Sequence, residues 1–386
     1  MKKEMLDWDY LITKKEIFYW VHFILFFMTK LNIFVSNYIR LPILGMYIVG
    51  VFLILIKNSK VKSSKIINSR IKLILIFGFY MILNLLIIKY TNVYVIYWVA
   101  TVIFIKELKF KSSEILSIIN KTAIVYFILA ILLNYTPLKV LSWYDIRILH
   151  NRFVPSVPRF IGLSSSPAGP DIFYIVVLFS NLFLNKCRSK YLYIIFSLVL
   201  VVWTASLSPI VSIVGAIAIL PFTNNKVIKS IYSSMLWLYQ FIIIFIYAIG
   251  SEGLRSFLNR CSTTRSMIWY HLYLNASYKS SLSQWIFGRS ELVEFWHFKQ
   301  LINNPHNFSL IVLQFGGIIA YIMIIIFFAF NFQKIQNKYI IFIVSMLIIY
   351  SSTNTFIFTI RGNPIFIYIL ISYLFVRNES EVMEYN

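Results

Sequence analysis

From about residue 17 to about residue 376 the chain alternates long apolar runs with short polar breaks. A helix that crosses a bilayer needs roughly 20 mostly apolar residues. Runs of that kind fall at about 17–36, 38–56, 71–88, 91–105, 118–134, 160–185, 191–205, 208–222, 231–250, 308–330, 339–360 and 364–376. They predict an all-α, polytopic integral membrane protein with about twelve transmembrane helices, forming a single membrane domain over 1–386. The seventh and eighth runs read either as two full spans or as a re-entrant pair. No period of 20–50 residues recurs, so a solenoid or repeat array is not expected.

Composition points the same way. Of 386 residues, 59% are hydrophobic and only 13% are charged. A soluble domain carries about 25% charged residues, and a soluble core could not hide this much apolar surface. No small-residue cleavage site follows the first apolar run, so no cleavable signal is expected. The two cysteines, Cys187 and Cys261, are predicted on opposite sides of the membrane, which leaves no disulfide framework or cysteine-based metal site.

The net charge of +22 would suit a nucleic-acid partner, but its distribution argues for topology instead. Lys57, Lys60, Lys62, Lys65, Arg70 and Lys72 separate runs two and three, and Lys106, Lys109 and Lys111 follow run four. Lys186, Arg188 and Lys190 follow run six, Lys226 and Lys229 follow run eight, and Lys334 and Lys338 follow run ten. Short basic connections stay in the cytoplasm. With twelve spans these all face inward, as do both termini. Two long connections then lie outside, at about 134–160 and 251–307. Connections of that length usually carry function.

These outer loops use a different cation. Together they hold seven Arg and three Lys, whereas the rest of the chain holds five Arg and 21 Lys. Arginine presents a planar fork of donors that grips phosphate or carboxylate in a bidentate way and keeps its charge. An Arg-rich outer surface beside the bilayer therefore suits a lipid-linked pyrophosphate or an anionic sugar. The alternative is a set of salt bridges and lipid-headgroup contacts. On the first reading Arg147, Arg152, Arg260 and Arg289 bind substrate, together with Asn307.

Two further segments stand out. In 159–171, Arg159-Phe-Ile-Gly162-Leu-Ser-Ser-Ser-Pro167-Ala-Gly-Pro170-Asp171, proline and glycine break helical geometry just ahead of an apolar helix. Asp171 sits where it favours a helix N-terminus. The stretch reads as a cavity floor with Arg159 at its rim, or as an ordinary helix start. The second segment, Asn303-Asn304-Pro305-His306-Asn307, opens the tenth run. A neutral imidazole at that position can take a proton from an attacking hydroxyl, or serve structurally. No acidic residue lies mid-span, which argues against an ion-coupled transporter. Asp7-Trp8-Asp9 has a metal-binding spacing but falls on the inner side and is treated as chance. No zincin, P-loop or nucleophile-elbow motif occurs.

At three places the chain resembles the bacterial O-antigen polymerase (Wzy) and O-antigen ligase superfamily. They are Arg159-x-x-Gly162 with Pro167, then Arg260-x-x-x-x-Arg265-x-x-x-Trp269 with Trp285-Ile-Phe-Gly288, then Pro305-His306-Asn307 with Gly316-Gly317. The likeness covers roughly 120–330 in pattern. It implies a membrane glycosyltransferase of helical, GT-C-like fold, without metal or other cofactor, in the bacterial inner membrane. Its substrate would be an undecaprenyl-pyrophosphate-linked oligosaccharide, and its partners membrane lipids and a chain-length regulator. The resemblance implies Arg159, Arg265 and His306 as the catalytic groups. The paired Arg-to-Gly spacings of some polymerases are not cleanly present in either loop. A polymerase joining repeat units is favoured. A ligase transferring finished polymer to lipid A-core and a non-enzymatic flippase are the alternatives. A flippase is disfavoured by the absent intramembrane carboxylates and internal repeat.

Overall fold

The computed structural model describes residues 101–102, 105–106, 110–134, 160, 170–204, 208–262, 265–289, 295–297, 300–302, 307–353 and 364–376. The first three predicted spans and most of the fourth fall outside them, as does the outer loop 134–160 apart from its two ends.

The described chain is mostly helical. In order come α1 (Ser112–Asn134), α2 (Pro170–Leu184), α3 (Lys190–Thr204), α4 (Ser208–Ile217), a 3-10 turn (Leu220–Phe222) and α5 (Lys226–Ile249). Then follow α6 (Glu252–Ser262), α7 (Arg265–Lys279), α8 (Leu282–Phe287), strands β1 (Phe295–His297) and β2 (Gln300–Ile302), α9 (Phe308–Phe332), α10 (Lys338–Thr353) and α11 (Pro364–Leu374). The two strands pair antiparallel, with Trp296 opposite Leu301.

Local chemistry sets these boundaries. Pro170 and Pro364 occupy the first position of α2 and α11, where the missing N–H costs nothing. Asn225 and Asn307 cap α5 and α9, each accepting a backbone N–H three residues on at 3.0 Å. Ser281 and Gln284 form a reciprocal capping box at α8.

Among the described residues, three helices are long and apolar enough to cross a membrane: Ser112–Leu132, Lys226–Ile249 and Ser309–Phe332. The apolar helices α2 and α3 have 15 residues each, or about 23 Å at 1.5 Å per residue, short of a roughly 30 Å hydrocarbon core. Leu192, Ile195, Val199, Val214, Phe245 and Ile249 project outward and exposed. An apolar surface of that kind fits a lipid surround better than water.

The helices run up and down, so their connections collect at two ends. At one end the Lys229 ammonium donates to the Ile335 carbonyl at 2.7 Å, and Phe183 at the end of α2 stacks on Tyr339 at the start of α10, 4.8 Å apart. Lys106 acts on Lys334 through its charge. The basic connections of the described chain therefore share one end. At the other end the head of α2 meets the tail of α10, and the segment 251–289 packs there.

Packing between the ends is aromatic and aliphatic, with a few polar ties. Phe179 meets Phe342 edge-on at 5.0 Å, and Trp237 on α5 meets Phe328 on α9 at 4.8 Å. The Trp237 carbonyl accepts from both the Gln240 amide and the Tyr321 hydroxyl. Between α1 and α2, Asn120 and Asn181 exchange amide hydrogen bonds of 3.0 and 2.6 Å while buried.

That amide pair gives a stability prediction. Interhelical polar pairs in lipid are worth about 0.6 to 2 kcal/mol. Asn120→Ala and Asn181→Ala should each destabilise the protein in detergent, and the double variant should cost about 1 kcal/mol less than the sum. Denaturant titration of all four proteins measures this coupling. Additive losses would mean that the pair contributes nothing jointly.

Candidate functional site

Arg265 opens α7 just after α6 ends, so the Arg260-to-Trp269 motif bridges two helices. Four residues on, Trp269 lies on the same face of α7. It is buried against Ile244 of α5 and Leu310 of α9, and meets Tyr239 edge-on at 6.4 Å. Ser266, Leu272 and Ala276 are buried too, so this face of α7 turns inward and brings Arg265 with it. The Ser266 hydroxyl donates to the Asn259 side chain at 3.2 Å, which joins the end of α6 to the start of α7.

Arg265 lies within electrostatic reach of Tyr350, Tyr239 and Asp171. Burial pushes its guanidinium below the usual arginine range, and these three oxygens pull it back up. It remains a cation at any physiological pH. Asp171 is fully buried in the first turn of α2. One of its carboxylate oxygens accepts from the Ile172 N–H at 2.5 Å and from the Tyr350 hydroxyl at 2.7 Å. The α2 N-terminus, a phenol and a guanidinium together stabilise a carboxylate that burial alone would heavily penalise. Residues from α2, α5, α7 and α10 thus come within electrostatic reach of one another around the buried Asp171.

A second arrangement holds the segment in place. Gly317 leaves the helical path inside α9, with φ of +67° and ψ of −173°. In an unbroken helix the Gln314 carbonyl would bond the N–H four residues on. Here the Arg289 N–H donates to it at 2.7 Å. Gly288 also has a positive φ, +95°, and crosses the kink backbone to backbone. A Cβ on Gly288 would lie 2.1 Å from the Phe315 carbonyl oxygen, and one on Gly317 would lie 2.3 Å from that of Ile286. The Trp285-to-Gly288 and Gly316-Gly317 motifs of the sequence are therefore two halves of one contact.

The structure separates the outer arginines by what they touch. Arg265 is half-buried, within electrostatic reach of Asp171, Tyr239 and Tyr350. The Arg255 guanidinium donates to the Tyr247 and Ala248 carbonyls at 2.8 and 2.7 Å, closing the C-terminus of α5. The Arg289 side chain donates to the Ser280 hydroxyl at 2.8 Å, in a recess with Tyr273, Gln284 and Trp285. Arg260 is exposed in the last turn of α6. The buried Asn307 side chain, expected to bind substrate, caps α9. Arg147, Arg152, Arg159 and His306 lie outside the described residues. Phe160, next to Arg159, is buried and donates its N–H to the Trp203 carbonyl at 3.2 Å.

Sequence reasoning missed Tyr350 and Tyr239, which lie mid-run among apolar residues and carry no local signal. Asp171 was legible only as a helix-start residue.

The glycine crossing leads to a prediction. Gly317→Ala and Gly288→Ala should each cost more than about 2 kcal/mol, through both the positive φ and the overlap. Gly253, whose Cβ would meet nothing within 4 Å, is the control, and Gly253→Ala should leave stability unchanged or slightly raised. Melting in detergent compares the three; equal midpoints would mean that the crossing is dispensable. No family model matches this chain, and neither does any curated protein or solved structure.

Proposed function

We propose that this protein is a membrane glycosyltransferase that joins oligosaccharide repeat units carried on undecaprenyl pyrophosphate, as an O-antigen or capsular polysaccharide polymerase. On this reading it is a GT-C-like helical protein of about twelve spans in a bacterial inner membrane. Its lysine-rich end faces the cytoplasm and its Arg265 end faces outward.

One observation carries the reading. Among four described outer-segment arginines, Arg265 is the one half-buried within electrostatic reach of a carboxylate and two tyrosines, at the end opposite the lysines. Its guanidinium carries five N–H donors, which can meet an anion.

The chemistry asks little else of the protein. A sugar hydroxyl of one repeat unit attacks the anomeric carbon of another. The bond from that carbon to the pyrophosphate oxygen breaks, and the lipid pyrophosphate leaves with the electron pair. Arg265, with Arg159, stabilises the charge growing on the leaving group. His306 takes the proton of the attacking hydroxyl. Arg147, Arg152, Arg260, Arg289 and Asn307 are the proposed contacts to the rest of the lipid-linked substrate, Arg289 and Asn307 in addition to their structural bonds. Pyrophosphate is already an activated leaving group, so neither nucleotide nor metal is required.

Gel profiles of surface polysaccharide from a deletion strain, complemented with variants, test this. Loss of the ladder with a single repeat unit left on the core supports polymerase. Polymer accumulating on the carrier lipid points to ligase, and trapped inner-leaflet repeats point to a flippase. In the complemented strain Arg265→Ala should abolish polymer at normal protein levels, and Arg265→Lys should rescue poorly because an ammonium lacks the fork. Wild-type chain lengths with Arg265→Ala would remove Arg265 from the reaction.

A further inference from the structure

A recess of about 370 Å³ lies at the lysine end of the bundle, remote from Arg265. Its walls are apolar, from Val102, Phe327, Phe330 and Phe375, and its polar lining includes Lys106 and Lys334. The Lys334 ammonium lies 3.6 Å from the centroid of the Phe330 ring. Among the described residues neither lysine has a carboxylate partner.

Two cations facing one recess repel each other. Lys334 is held below the usual lysine range by burial first and by Lys106 second. A singly charged anion placed between them removes that repulsion. The apolar walls exclude a purely ionic occupant and favour one with hydrocarbon attached.

We propose that this recess binds an anionic phospholipid, with its phosphate between Lys106 and Lys334 and its upper acyl chains against Phe327, Phe330 and Phe375. The position fits such a lipid: it lies where α9 ends and α11 ends, at the basic end of the bundle. Anionic headgroups concentrate beside basic residues at that side of a membrane. Lys229 donates to the carbonyl of Ile335, which lines the recess, and so fixes that part of its wall. The site is independent of the glycosyltransferase reading, since none of its residues belongs to the Arg265 cluster.

The test uses the purified full chain in a zwitterionic detergent, titrated with phosphatidylglycerol, phosphatidylcholine or inorganic phosphate, and read by native mass spectrometry and by melting temperature. Phosphatidylglycerol should bind and raise the melting temperature, and the other two should not. Lys106→Gln with Lys334→Gln should weaken phosphatidylglycerol binding by about thirtyfold. Lys106→Arg with Lys334→Arg should preserve it, which guards against misfolding as the explanation. Lys338→Gln, at the same end but outside the recess, should leave it unchanged. Equal binding of phosphatidylcholine, equal stabilisation by inorganic phosphate, or full binding by the double glutamine variant would each overturn the proposal.

Discussion

The crossing of Gly288 over the kink at Gly317 is the contact on which the functional end depends. Two backbones approach there more closely than any side chain permits, and each supplies what the other lacks. At the break in α9 the Gln314 carbonyl accepts from the Arg289 N–H at 2.7 Å. In a region with little water, an unmade backbone bond costs about 1–3 kcal/mol, so the kink and the crossing strand stabilise each other. Once α8 is fixed on α9, the chain between α5 and α8 has little freedom. It folds back as α6 and α7, and the buried face of α7 fills the space between Ile244 and Leu310 with Trp269. Arg265, one turn before Trp269, follows from that.

Cations are divided by chemistry as well as by position. Lysines crowd one end, where single point charges meet water or headgroups. Three arginines of the other end differ in what they touch: Arg255 closes a helix, Arg289 donates to a hydroxyl, and Arg265 lies half-buried near a carboxylate and two tyrosines. Counting arginines in the outer segment therefore overstates how many are free to meet a ligand.

Much of this was legible in the sequence, and the exceptions have physical causes. The runs at 118–134, 191–205 and 308–330 correspond to α1, α3 and α9 within a few residues, apart from the first turns of α1, because long apolar stretches leave a helix few alternatives. The α5 helix starts at Lys226 rather than near 231. Lys229 is buried inside it because its ammonium finds the Ile335 carbonyl, and hydropathy cannot register a partner 106 residues away. The polar stretch 251–307 reads as loop by composition, yet it contains three helices and a two-stranded ribbon. Its helices hide only narrow faces such as Ser266, Trp269, Leu272 and Ala276, which mean hydropathy averages away. The glycine motifs were visible as motifs, but nothing in one dimension says that Gly288 lies on Gly317.

The Asp171–Tyr350 bond joins residues 179 positions apart, and its energetics bind stability to chemistry. A fully buried carboxylate is tolerable only with its charge answered from several directions. Here the answers are the start of α2, the Tyr350 hydroxyl and the Arg265 cation. Burial of that charge is thus shared among residues from α2, α7 and α10.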